Sequence, residues 1–164
     1  HDLCDNYLEF VKHRLYNPDN YSKDNLRSAR YTLYNAVLVS IKLFAPFMPH
    51  ITEEIYHLYF AEKESKKSIH ISNWPEADAE LIDDEAEMTG NLVKYIVDAA
   101  RKTKSEQNVS LKEPIKRILV KAKRPYPEFE KVYDDIVNVT KAEKLEYEEL
   151  PENSNADFEH VIDL

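Results

Sequence analysis

Two prolines, Pro46 and Pro49, stand three residues apart in the run "LFAPFMPHITEEIY", residues 43–56. Nothing else in the chain restricts its architecture so tightly. Pro46 lacks a backbone donor and disfavours helical geometry at Ala45, so a helix arriving from the N-terminal side must stop there. Pro49 suits the first turn of a new helix, and Thr52, Glu53 and Glu54 put polar and negative groups near the positive end of its dipole. The stretch is expected to be a buried corner between two helices. Its other reading is chemical. His50, Glu54 and His57 fall at i, i+4 and i+7, on one helical face, and are ligand types that zinc takes. The spacing is not the HExxH pattern, and the corner already accounts for these residues, so no metal site is expected.

The rest of the chain reads around that corner. Leu3, Tyr7, Phe10, Val11 and Leu15 recur at helical spacing, and the turn cluster Asn17-Pro18-Asp19-Asn20 ends this first helix. Ser22 is a good N-cap for a second helix running to about Phe44. From Ala36 on ("AVLVSIKLFA") that helix is apolar almost all round, which predicts burial among other helices. The third helix runs to about Phe60. Lys63 to Ser68 reads as a charged loop, Ile69 to Ser72 alternates briefly, and "NWPEAD" is an extended connector in which Trp74 is expected to anchor across the bundle. A fourth helix starts at Asp83 with Leu92, Val93, Ile96, Ala99 and Ala100 inward. Past Pro114 the texture changes: Ile115 to Ala122 reads as a strand, Tyr126 to Val139 as a helix, and Lys144 to Glu149 and Phe158 to Ile162 as strands. The polar "PENSNAD" is a loop. The expectation is a mainly α chain, with a helical bundle over residues 1–108 and a small α/β unit over 109–164.

Composition closes off several functions. One glycine in 164 residues excludes the glycine-rich phosphate loops of nucleotide-binding enzymes. The single cysteine, Cys4, supports no disulfide framework and is expected in the core. No apolar run approaches the roughly 20 residues of a membrane span, so a soluble, cytoplasmic protein with no membrane partner is expected. A net charge of −9 argues against nonspecific nucleic-acid binding, although a basic face on an acidic body stays open. The chain begins with His1 and reads as a piece of something longer.

Three groups of residues could meet RNA. Asn6, Glu9 and His13, with Lys12 beside them, share one face of the first helix and combine amide, carboxylate and cation, the groups that hydrogen-bond exposed base edges. Arg27, Arg30, Tyr31 and Tyr34 interleave basic and aromatic side chains on the second helix, a pattern that can stack bases and hold phosphates. Tyrosines at a helix seam with snorkelling arginines would look the same. Arg101, Lys102 and Lys104, with Lys116, Arg117, Lys121, Lys123 and Arg124, are the densest basic supply and could track a backbone. A solvated helix end is the alternative. No Ser-His-Asp set or carboxylate pair points to catalysis.

With these pieces identified, the chain resembles the C-terminal part of class I aminoacyl-tRNA synthetases of the valine–isoleucine–leucine group. "LFAPFMPHITEEIY" is similar to that group's anticodon-binding helical bundle, and "SIHISNWPE" to its segment ending in a tryptophan-proline pair. "LCDNYLEFVKHRLY" is similar to a helix of the valine-specific members, with a Cys-Asp-x-Tyr-hydrophobic-Glu core followed by a lysine. "AARKTKSEQNVSLKEPIKRILV" resembles their passage from bundle to terminal domain. Isoleucine-specific members come next. The resemblance runs from about Leu3 to Val120. Bacterial valine-specific members end in a long helical hairpin that this chain lacks, which points to an archaeal type or a truncation.

The resemblance implies recognition, not chemistry. Activation of the amino acid with ATP (and Mg) belongs to an upstream domain absent from this chain, so no catalytic residue, cofactor or metal is expected here. The implied partners are a valine-accepting tRNA, held by its anticodon stem-loop, and the rest of the parent synthetase. In that role Leu8, Glu9, Lys12 and His13 approach the loop, and Arg27 and Arg30 the stem phosphates. Other readings are a non-catalytic helical scaffold and a metal-dependent enzyme centred on His50, Glu54 and His57.

Overall fold

The computed structural model describes residues 2–151, 154 and 156–164, so Glu152, Asn153 and Asn155 of the expected "PENSNAD" loop lie outside the described residues. The chain forms two compact units. Arg14–Ile82 make one; the segment up to His13 and Asp83–Leu164 make the other. The packing therefore follows a different division from 1–108 and 109–164.

In the Arg14–Ile82 unit, helix α2 (Lys23–Phe44) starts where Ser22 Oγ accepts the Asn25 N–H at 3.2 Å. It ends at Ala45, immediately before Pro46. The N–H groups of Phe47 and Met48 both donate to the Phe44 carbonyl at 2.9 Å, and α3 (Pro49–Tyr59) begins with proline at its first position. The short α4 (Ala61–Glu64) follows and closes on Ser65 in left-handed geometry, a place where glycine is usual and serine stands here. The unit's core is Leu38, Ile41, Ala45, Tyr56, Phe60 and Ile69.

What joins the corner to the downstream segment is Glu53. Its Oε2 accepts from Ser68 Oγ at 2.9 Å and from the Ile69 N–H at 3.0 Å, and its Oε1 lies 3.0 Å from His57 Nε2. His70 Nε2 reaches the Pro49 carbonyl at 3.3 Å. One carboxylate thus clasps the two sequence stretches to each other and drives Ile69 into the core. Residues Ile69–Ile71 form a 3-10 turn here, not an alternating strand-like segment.

Three expectations fail in this unit. The α3 helix and the Ile69 turn cover one face of the apolar end of α2 and leave the other open: Val39, Leu43 and Phe44 are exposed. Between the two helices of the corner Ala45 is buried, but Phe47 is 82% exposed and Met48 is exposed too. Trp74 is not the anchor: it is 60% exposed, and from this segment Ile69 is the residue in the core.

In the other unit, π turns over Asp2–Tyr7 lead into α1 (Leu8–Tyr16), whose residues up to His13 belong to it. Helix α5 (Asp84–Glu106) is capped by Asp83, whose Oδ1 accepts from the N–H groups of Glu85 and Ala86 at 3.0 Å. Strand β1 (Arg117–Ala122) is central in a three-stranded sheet. It runs parallel to β2 (Leu145–Glu149), reached through α6 (Phe129–Thr140), and antiparallel to β3 (Phe158–Asp163). Period-two alternation gives the sheet two unlike faces. Ile118 and Val120, with Leu145 and Ile162, pack against Leu92, Val93, Ile96 and Val97 of α5 and Ile136 of α6. This shared core is why α5 belongs with the sheet and the division does not fall after residue 108. Cys4, expected in the core, is exposed.

Candidate nucleic-acid interface

The polar face foreseen on the first helix is open. Leu8, Glu9 and Lys12 are exposed and His13 is half-buried; Lys12 Nζ lies 3.0 Å from Glu9 Oε1, one helical turn away. Such an exposed pair contributes little to stability and is easily exchanged for other partners. Asn6 is different. It is buried, and its Oδ1 accepts from Arg101 Nη1 at 3.4 Å, while Arg101 Nη2 donates to the Asp5 carbonyl at 3.2 Å. Its work is to hold Arg101, not to face solvent. Lys102 is exposed, 3.9 Å from Glu106.

Lys104, expected to meet RNA, does not reach the surface. It is 2% exposed, and its Nζ donates to the carbonyls of Leu111 at 3.0 Å, Glu113 at 2.6 Å and Thr140 at 2.9 Å. Three acceptors use all three donors of an ammonium, so the group is consumed by the fold. Burial pushes its pKa below the ordinary 10.5, opposed by Glu113 and reinforced by Lys141.

Glu9 and Arg101 do come together, on the wall of a cavity of about 200 Å³. Lys112 and Lys141 line it as well, with the buried Lys104 and Thr140 behind, over an apolar floor that includes Val97, Leu111 and Val139. Sequence reasoning missed both lysines. Lys112 sits in the passage "SLKEP", whose fold was not legible, and Lys141 occupies a left-handed C-cap (φ 62°) that a non-glycine residue rarely takes.

The strand lysines and arginines form no basic track. On the solvent face of the sheet Arg117 pairs with Glu146 and lies 3.8 Å from Asp163, and Lys121 lies 3.0 Å from Glu148. Each cation is answered by a carboxylate across the strand, so this face is a salt-bridged ladder. Lys116 Nζ donates to the Leu164 carbonyl at 2.7 Å. Lys123 and Arg124 line a separate small cavity with Tyr126 and Asp157.

In the Arg14–Ile82 unit the basic and aromatic residues of α2 line one open cavity of about 570 Å³. Lys23, Arg27, Arg30, Tyr31 and Tyr34 come from successive turns, and α4 supplies Lys63 and Glu64 opposite. Tyr34 donates to Glu64 Oε1 at 2.8 Å and carries Lys63 Nζ 5.1 Å above its ring centroid. Burial and that carboxylate push the Tyr34 hydroxyl up to about 12, so it remains a donor. Tyr31 is 61% exposed. Lys63 was not foreseen, since only the placement of α4 beside α2 reveals it, and Lys23, at the start of α2, was passed over.

The histidine reading dissolves in the same detail. His50 and Glu54 are exposed, and His57 is engaged with Glu53, the clasp. Among the described residues no three His, Cys, Asp or Glu side chains gather as metal ligands. No helix among them is long and apolar enough to cross a membrane.

Comparison with known proteins puts this geometry in context. The family model described as the anticodon-binding domain of tRNA ligase matches residues 1–120. The valine–tRNA ligase of Pyrococcus furiosus is 42% identical over 147 residues, covering 89% of this chain and 16% of that protein. Those of Thermococcus kodakarensis and Rickettsia felis are 39% and 36% identical over similar spans. The chain thus spans 16% of the length of these relatives. The match begins at the π turns, takes in the proline corner with its Glu53 clasp, and runs on through α5 into β1. By that match the chain belongs to the family of anticodon-binding domains of tRNA ligases.

Proposed function

We propose that the chain is the tRNA-recognising region of a cytoplasmic valine–tRNA ligase. It holds the anticodon stem-loop of a valine-accepting tRNA, while ATP- and Mg-dependent ligation is performed by parts of that enzyme outside this chain. One observation carries the reading beyond family membership: the exposed carboxylate of Glu9, with the Lys12 ammonium beside it, lines a cavity together with the cations of Arg101, Lys112 and Lys141. A carboxylate accepts from the amino group of an exposed adenine or cytosine, the middle and last bases of a valine anticodon. Cations beside it hold the backbone that presents the base. His13, Leu8 and Lys102 border this surface, and Arg27 and Arg30 face the backbone of the same RNA arm. The open apolar edge at Val39, Leu43, Phe44 and Phe47 suits contact with the rest of the ligase, since exposed apolar patches of this kind mark interaction surfaces.

Alanine at Glu9, and separately at Lys12, is expected to weaken binding to a valine-accepting anticodon stem-loop by about 5- to 100-fold, the equivalent of 1–3 kcal/mol for a polar group left unpaired. Titration by fluorescence anisotropy checks this. Parent-like affinity in both variants would remove these residues from the interface.

A further inference from the structure

The cavity on α2 gathers cations on the surface of an acidic molecule. The chain carries 31 acidic and 22 basic side chains, and many of its cations are answered: Lys12 by Glu9, Lys94 by Asp2, Arg101 by Asp98, Arg117 by Glu146, Lys121 by Glu148, Lys144 by Glu146. Around this one cavity stand Lys23, Arg27, Arg30 and Lys63, none with a carboxylate partner among the described residues. The single acid there, Glu64, is already bonded to Tyr34. Four cations against that one carboxylate leave the cavity with an excess of positive charge, an arrangement that an anion relieves. Between them lies the open Tyr31 ring, and the cavity, at about 570 Å³, has room for a whole nucleotide.

We propose that this cavity holds one unpaired nucleotide of the RNA, its phosphate among Lys23, Arg27, Arg30 and Lys63 and its base stacked on the Tyr31 ring. Lys63 is set for this by its place over the Tyr34 face, which keeps the ammonium at the cavity wall. The Tyr34–Glu64 bond fixes α4 as the opposite wall. Stacking tolerates any base, so the cavity strengthens binding without reading sequence. This rests on the tRNA-binding reading above and assigns Arg27 and Arg30 to an unpaired nucleotide, not to the stem.

The test uses the chain itself and a valine-accepting anticodon stem-loop, with Tyr31→Leu, Tyr31→Phe and Arg27→Gln. Tyr31→Leu is expected to weaken binding about tenfold or more, with the slope of log affinity against log salt unchanged, and Tyr31→Phe to bind within about twofold of the parent. Arg27→Gln is expected to lower that slope by about one. If the parent binds the stem-loop and Tyr31→Leu matches it, the cavity is overturned while the tRNA reading stands. If Tyr31→Phe loses as much as Tyr31→Leu, the contact is to the hydroxyl and the stacking proposal is overturned. If the parent binds no stem-loop, both readings fall together.

Discussion

Replacing Lys104 with alanine is expected to lower the melting temperature by about 6–12 °C. The residue is interior, yet its three acceptors are backbone carbonyls at Leu111, Glu113 and Thr140. A buried ion pair between side chains can often be exchanged for apolar residues of equal volume, because both partners go together. Here the acceptors cannot be mutated away, so removing the ammonium strands three carbonyls at once. Some of the loss returns through water entering by the adjacent cavity and through relief of the desolvation cost. A net of about 3 kcal/mol remains, and a domain of this size loses about 2–4 °C per kcal/mol. Lys104→Met, which restores the stem's packing but not its donors, should recover only a minor part. A methionine variant as stable as the parent would show that the three bonds contribute nothing net.

The second large effect is expected at Glu53. Alanine there removes the acceptor shared by Ser68 Oγ and the Ile69 N–H and frees His57. The cost is about 2–3 kcal/mol, from a partly buried N–H left unpaired and from looser seating of Ile69 in the core. The pH dependence gives a finer check. Burial by itself would raise the Glu53 pKa, but the bonds from Ser68, Ile69 and His57 outweigh it and hold the carboxyl below its ordinary 4.5. A depressed carboxyl pKa means that the folded state binds its proton less readily than the unfolded chain does. The stabilisation is therefore complete above 4.5 and is lost as pH falls through the lowered value. Glu53→Gln should start less stable at neutral pH, and its deficit should shrink as the solution is acidified below 4.5. A deficit independent of pH would mean that the charge on Glu53 plays no part.

These two residues also mark where sequence reading ends. The prolines, the Ser22 and Asp83 caps and the alternation in β1 act over one or two turns of chain, so the helix ends and strands could be placed from residues near them. Glu53 was visible as part of a motif, and helix restart explained it locally. Its actual partners lie 15 and 16 residues away, in a stretch that looked like an unrelated second motif. The two stretches go together because one carboxylate holds both.

Burial was the least legible property. Amphipathic pattern shows which face could be covered, not whether anything covers it. Phe47 and Trp74 were therefore read as interior when they are open, and Lys104 as surface when it is not. In the candidate interface, Glu9, Lys12, Arg27 and Arg30 stood out by residue type at helical spacing. Lys112, Lys141 and Lys63 could not, because each reaches its cavity from a different element.

The most direct measurement is the affinity of the chain for two anticodon stem-loops at several salt concentrations. One carries the valine anticodon, and the other differs only at its middle and last bases. The expected result is a loss of about a hundredfold or more on changing the two bases, with log affinity for the valine loop falling linearly as log salt rises. Equal affinity for both loops, or binding indifferent to salt, would contradict recognition of the anticodon by this chain and leave it a helical scaffold.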